Sequence, residues 1–398
     1  MTYDFPALDD EFRASVHRRC GGTPAETLEL VSYGRSAYSQ HGLAGDAGPW
    51  PLPDERFVEA WERYTVEAAR TGAATCLRRR LIQLRFPITA GISQSEHYRA
   101  ATKRGVWPDA DSTPPFPLRQ PDGLTIILHP TAAGRIPVII IADRADFESM
   151  TQALTRQNEP DAIPASMGAT MVAGYNNWDR IATLRASCAA SAPDGDSESA
   201  WQAAFAEIVP RRELYQDRFI LLSSGPYSAT PAAAMELTEA SWRDLSLTIR
   251  CAHECAHYFT RRVFGAMRNT LVDELIADYM GIVAAAGAFR GDWFLRFLGL
   301  HAFPSCAPTG RVHNYRGTPP LSAGAFAVLQ TLVVRAAAGA EAISAEFPPA
   351  PWDLATQATV ITALARLGLE GLASSDAVRL AREVLADFPV GTAGETVM

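Results

Sequence analysis

The chain has 398 residues, 47% hydrophobic and 20% charged, an ordinary globular mixture that excludes a mostly disordered polypeptide. That length suits two or three domains, or one large domain with extensions. A net charge of −8 argues against a nucleic-acid footprint, which concentrates positive charge, and the Arg78-Arg79-Arg80 run reads as a solvated helix face.

Residues 1–6 carry no basic segment followed by an apolar stretch, so no secretory leader is expected there. Apolar runs such as 280–289 fall short of the roughly 20 residues of a membrane span, and a cytoplasmic protein without a membrane partner is expected. Residues up to about 50 are mixed, and Pro51-Leu52-Pro53 reads as a linker. Asp54 is placed to cap a helix carrying Phe57, Trp61, Tyr64 and Ala68 at helical spacing, and Ser93-Gln94-Ser95-Glu96 has the form of a capping box. Five prolines in 107–123 mark a loop or boundary. Beyond it, 124–129 and 136–142 are β-branched runs that predict a hairpin, and Asp143 caps a helix with Phe147, Met150 and Leu154 on one side. The small polar residues of 187–199 predict an exposed loop, and 218–223 predict a third strand. From Thr238 the pattern turns helical: a long helix to about Phe264, a turn at 268–270, a second helix over 271–289, and three more near 321–338, 352–367 and 374–387. The six cysteines include no C-x-x-C pair and are expected to be reduced thiols.

His253-Glu254-Cys255-Ala256-His257 places H-E-x-x-H inside the long helix. At about 3.6 residues per turn, the two histidines lie ~40° apart around the axis and ~6 Å apart along it, so both imidazoles can reach one cation. Glu254 lies ~100° from His253, an offset that suits a base rather than a ligand. Cys251 and Cys255 point to the opposite face, ~160° from His253. Zinc needs a third protein ligand, with a fourth position left open for catalysis. Asp273-Glu274-Leu275-Ile276-Ala277-Asp278 begins 16 residues after His257 on the next predicted helix. Glu274 and Asp278 are one turn apart: the first can ligate, and the second can accept the free N–H of a ligating histidine. Asp273 is a rival third ligand, but choosing it leaves Asp278 off its face.

The H-E-x-x-H helix followed by E-x-x-x-D, with Ala277 before the aspartate, resembles the gluzincin metallopeptidases over about 40 residues. The resemblance implies zinc on His253, His257 and Glu274, Glu254 as general base, and Asp278 behind a histidine. It also implies an α+β fold: a zincin-like catalytic domain over 121–300, a small β-sheet with the active-site helix pair, between helical regions at 1–120 and 301–398. Zincins commonly border the cleft with a substrate-pairing strand, for which 219–223 is the candidate. Oxyanion donors are sought at His313, Tyr315 or Arg316, and the polar-aromatic cluster 174–180 reads either as a pocket lining or as a helix start. The expected function is metal-dependent hydrolysis of a peptide or small amide substrate. The alternatives are a zinc enzyme acting on a small metabolite in biosynthesis and a non-catalytic zincin-like binding protein.

Overall fold

Apolar residues recurring every three to four positions dominate the chain, and four short strand-forming runs interrupt them. The result is an α+β protein with fourteen α-helices and one four-stranded sheet among the residues described by the computed structural model, namely 9–35, 38, 49–108, 116–191, 197–266 and 270–388. Residues 1–6, most of 107–115 and residues 268–269 of the expected turn lie outside them. The chain forms two compact units. One joins the residues up to Leu52 with those from Thr230 onward, and the other is Pro53–Ala229. These boundaries differ from those expected at 120 and 300, and the sheet and the motif-bearing helices belong to different units.

The first unit opens with α1 (Asp10–Arg19) and α2 (Pro24–Tyr33). Asp9 accepts from the Phe12 amide at α1, and Thr23 and Glu26 form a reciprocal capping box at α2, with Pro24 in the first turn.

The second unit holds α3 (Val58–Thr71), α4 (Ala73–Arg80), α5 (Glu96–Arg104), β1 (Leu124–His129), β2 (Ile136–Ile141), α6 (Arg144–Thr155), β3 (Ala169–Asn176), α7 (Trp178–Ser191), α8 (Ser197–Ile208) and β4 (Gln216–Ser223). The sheet order is β1-β2-β4-β3; β1 and β3 run antiparallel to their neighbours, and β2 runs parallel to β4. Ile139, Ile141, Phe219 and Leu221 pack with Trp61, Phe147 and Met150 in one core. Asp143 caps α6 as expected. Asp54 does not cap α3; it binds the Arg135 amide and guanidinium instead. The cap at α5 is Ser95 rather than Ser93, because residues 92–94 form a 3₁₀ turn.

Two further expectations are corrected here, and a third resolves to one of its two alternatives. Residues 219–223 lie on β4, an interior strand paired on both sides, so no edge is left for a substrate strand. Within the loop expected at 187–199, residues 187–191 and 197–199 are helical, since α7 runs to Ser191 and α8 starts at Ser197; the alanines among these small residues are strong helix formers. The cluster 174–180 takes its helix-start alternative, with Asn177 Oδ1 accepting from the Asp179 and Arg180 amides at the head of α7, and it forms a buried brace. Asp217, fully buried on β4, accepts from Arg180 (2.6 Å), Asn177 (2.7 Å) and Trp61 (2.9 Å), while Asp179 accepts from Tyr64 (2.7 Å) and Arg80 (2.8 Å). Burial pushes the Asp217 carboxyl above the ordinary carboxylate range even against the pull of Arg180.

The first unit resumes with α9 (Glu239–Val263), α10 (Leu271–Ala286), α11 (Gly291–Leu298), a 3₁₀ turn at Arg311–Tyr315, α12 (Ala323–Ile343), α13 (Leu354–Ala373) and α14 (Ala377–Ala386). Among the described residues one helical stretch, Ala323–Glu346, is long and apolar enough to cross a membrane, with mean hydropathy 1.5, and half of that apolar window is buried in the protein. Gln330, Thr331 and Arg335 interrupt it, which is why no unbroken apolar run announced it. It packs on α13, and a Cβ on Gly339 would stand 1.8 Å from the Leu372 carbonyl oxygen.

Candidate metal centre

Local chemistry fixes the two helices that carry the motif. Thr238 accepts from the Ser241 amide at the start of α9, as its position predicts. Asp273 and Glu274 occupy the first turn of α10, where the helix dipole favours negative charge. The helices pack along each other, and Gly281 makes the approach possible: a Cβ there would lie 2.7 Å from the Ile249 carbonyl oxygen. Leu275, Ile276 and Ile282 are fully buried, so α10 carries its acids into the interior.

There the acids meet the histidines. His253, His257 and Glu274 are all buried, and their donor atoms converge. The two Nε2 atoms are 3.1 Å apart, and each is 3.7 Å from a Glu274 carboxylate oxygen. Asp278, fully buried, accepts from His253 Nδ1 at 2.9 Å. Asp273 Oδ2 faces His257 Nδ1 at 3.3 Å, at an angle too poor for a hydrogen bond. A carboxylate behind each Nδ1 favours the Nδ1–H tautomer and leaves both Nε2 lone pairs pointing at the Glu274 carboxylate. Donors so placed need a positive charge among them, either a proton or a metal ion. The same field acts on His257: burial alone would depress its pKa, but Asp273, Glu274 and Glu254 carry it up to about 10. The group can hold a metal ion.

Around it stand five further side chains. Glu254 is partly buried one position along from His253; desolvation pushes its carboxyl up, and the two imidazoles pull it down. Tyr315, on the 3₁₀ turn, hydrogen-bonds Glu274, and burial raises its hydroxyl pKa. Arg311, from the same turn, pairs with Asp278 Oδ2 and lies 3.8 Å from Glu274 Oε2. Tyr38 and Thr260 both donate to Asp273 Oδ1, at 2.7 and 3.2 Å.

The structure thus brings together His253, His257, Glu254, Glu274, Asp278 and Tyr315. His313 is not part of the group: its Nε2 contacts the Ala307 carbonyl (3.1 Å) and Cys306 Sγ (3.4 Å), and its ring lies on Phe326. Arg311 and Tyr315 of the turn reach the site, whereas His313 between them spends its contacts elsewhere. Arg316 lies over the Phe326 ring, 4.4 Å from its centroid. Cys255 hydrogen-bonds Cys251, and this bond together with burial pushes its thiol pKa well up. Asp273, read as a dispensable rival for the metal, instead stands behind His257. Sequence reasoning missed Arg311, Tyr38 and Thr260. Thr260 was within reach, since it sits one turn before the end of the motif helix, but nothing local marks Tyr38 or Arg311.

Fold and site together define an α+β protein with a buried two-histidine, one-glutamate group able to hold a metal ion. The chain belongs to DUF7005, a family of unknown function, whose pattern matches residues 15–376. No curated protein and no solved structure matches it.

Proposed function

We propose that the protein is a zinc-dependent hydrolase of the gluzincin type that cleaves a peptide or amide bond, with His253, His257 and Glu274 as ligands and Glu254 as general base. The observation that carries this reading is the convergence of three lone-pair donors with an additional carboxylate beside them. Donors about 2.0–2.2 Å from one tetrahedral zinc stand roughly 3.3–3.6 Å from one another; the two Nε2 atoms are 3.1 Å apart, and each is 3.7 Å from a different Glu274 oxygen, so a small turn of that carboxylate completes the set. Nitrogen and carboxylate donors in this number suit a catalytic zinc with an open position. When bound, the ion supplies Lewis acidity, polarising the scissile carbonyl and acidifying water.

The chain's own residues do the rest. Glu254 sits close enough to both histidines to accept a proton from the attacking water, and its raised pKa helps it pass that proton to the leaving amine. Asp278 and Asp273 hold the imidazoles with Nε2 inward. Arg311 ties Asp278 to the edge of Glu274 and offers a fixed cation for an oxyanion or a substrate carbonyl. Tyr315 shares that position through its bond to Glu274. A non-catalytic site has no use for Glu254, which favours the enzyme.

Elemental analysis should find about one zinc per chain, lost in His253→Ala/His257→Ala. A panel of peptides and N-acyl amino acids should reveal chelator-sensitive hydrolysis that Glu254→Gln lowers by roughly 10²-fold or more with zinc retained. Full zinc content in the double variant, or near wild-type turnover in Glu254→Gln, refutes the assignment.

A further inference from the structure

We infer that Tyr38 is a positioning residue of the metal centre, acting through Asp273 on His257; this rests on the metal-binding reading above. Asp273 is 1% exposed, and a carboxylate so buried must have its oxygens satisfied. Two hydroxyls do this at one oxygen only: Tyr38 donates to Oδ1 at 2.7 Å, and Thr260 shares its one proton between Oδ1 and the His257 carbonyl, both at 3.2 Å. Oδ2 has no hydrogen-bond partner among the described residues and faces His257 Nδ1, which has none either. Pinning Oδ1 therefore aims Oδ2. A small rotation of the imidazole, as Nε2 turns toward an ion, closes the remaining contact.

The hydroxyl is held in place by its ring. Tyr38 is buried against Phe264 with ring centroids 5.0 Å apart, and Phe264 packs edge-on against Phe259 of α9 at 5.5 Å. Burial and the neighbouring Asp273 keep the phenol protonated, so it stays a donor. The two outer carboxylates are thus clamped differently. Asp278 shares its charge with a guanidinium, whereas Asp273 is held by neutral hydroxyls and keeps its full charge for His257. A neutral clamp leaves His257 the more strongly donating imidazole of the two.

The test uses the full chain and two probes, zinc in competition with a chromophoric chelator and cobalt(II) as a spectroscopic substitute. Tyr38→Phe keeps the ring and removes only the hydroxyl. It should weaken zinc binding about tenfold, the lower end for losing an outer partner, and shift the cobalt absorption bands in the direction that Asp273→Asn does. In an Asp273→Asn background the same change should add less than about twofold, because it acts through that carboxylate. Thr260→Val supplies a second variant that should weaken zinc binding and move the bands likewise. Wild-type zinc affinity and cobalt bands in both Tyr38→Phe and Thr260→Val, with the wild type binding zinc tightly, overturn this inference alone. A wild-type chain that takes up neither metal overturns the metal reading and this one with it.

Discussion

Gly281→Ala tests whether the close approach of α9 and α10 sets the geometry of the metal group. The added methyl would stand 2.7 Å from the Ile249 carbonyl oxygen and 3.0 Å from Ile249 Cγ2, where ordinary contact begins near 3.4 Å, so the helices must part locally by roughly 0.7 Å. Ile249 lies four residues before His253, and Gly281 three after Asp278, or about 6 and 4.5 Å along the two axes at 1.5 Å per residue. The wedge therefore acts within a turn of the His253–Asp278 bond. Metal sites tolerate displacements of only about 0.2 Å, and overpacking of this kind costs about 1–3 kcal/mol. Denaturant unfolding of the metal-free protein should register that cost, and chelator competition should show zinc binding weakened at least tenfold. Because the nearest clash is with a backbone atom, the affinity loss should persist in an Ile249→Ala background. Wild-type stability and affinity in Gly281→Ala would refute the claim that this glycine sets the site.

Asp278→Asn and Asp273→Asn should each weaken zinc binding by roughly 10- to 100-fold, since each stands behind one histidine; a silent Asp273→Asn would restore it to the role of bystander. In the metal-free protein His257 is held protonated up to about pH 10. Its raised pKa stabilises that state fully below the ordinary histidine value of about 6.5, and this stability fades as pH climbs toward 10. Over the same window zinc affinity should rise about tenfold per pH unit as the ion displaces that proton, and a flat titration contradicts it. In the other unit, Asp217→Asn should lower stability by about 3–5 kcal/mol by stranding buried Arg180, with zinc content unchanged; a loss of zinc without a loss of stability would return the 174–180 segment to the site.

What could be read ahead of the structure follows from the range of the interactions involved. H-E-x-x-H and E-x-x-x-D are helical spacings, so His253, His257, Glu254, Glu274 and Asp278 were visible as faces of two helices. The caps at Thr238 and Asp143 and the strands over 124–129 and 218–223 are equally local. The 174–180 segment looked like a site because polar and aromatic residues crowd there, but the same letters serve a buried brace, and only the position of Asp217 on a central strand distinguishes the two. His313 failed because its ring is held by Cys306, the Ala307 carbonyl and Phe326, while Arg311 and Tyr315 of the same turn reach the site. Tyr38 and Arg311 reach the centre from 235 and 33 residues away from the carboxylates they touch, and no local pattern encodes such a contact.

The interruption of the helical unit by residues 53–229 has a consequence in time. Tyr38 meets Asp273 across 235 residues, Tyr33 meets the Tyr315 carbonyl across 282, and His17 meets Glu370 across 353. Translation at about 5–20 residues per second puts roughly 10–70 s between the emergence of each early residue and that of its partner. Through that interval Val16, Leu30 and Val31, all buried in the finished protein, have no completed core to enter. The other unit is contiguous and can fold meanwhile. Under the zinc reading proposed above, the pocket for the ion is therefore among the last parts of the protein to assemble, and metal loading would follow closure of the unit rather than nucleate it.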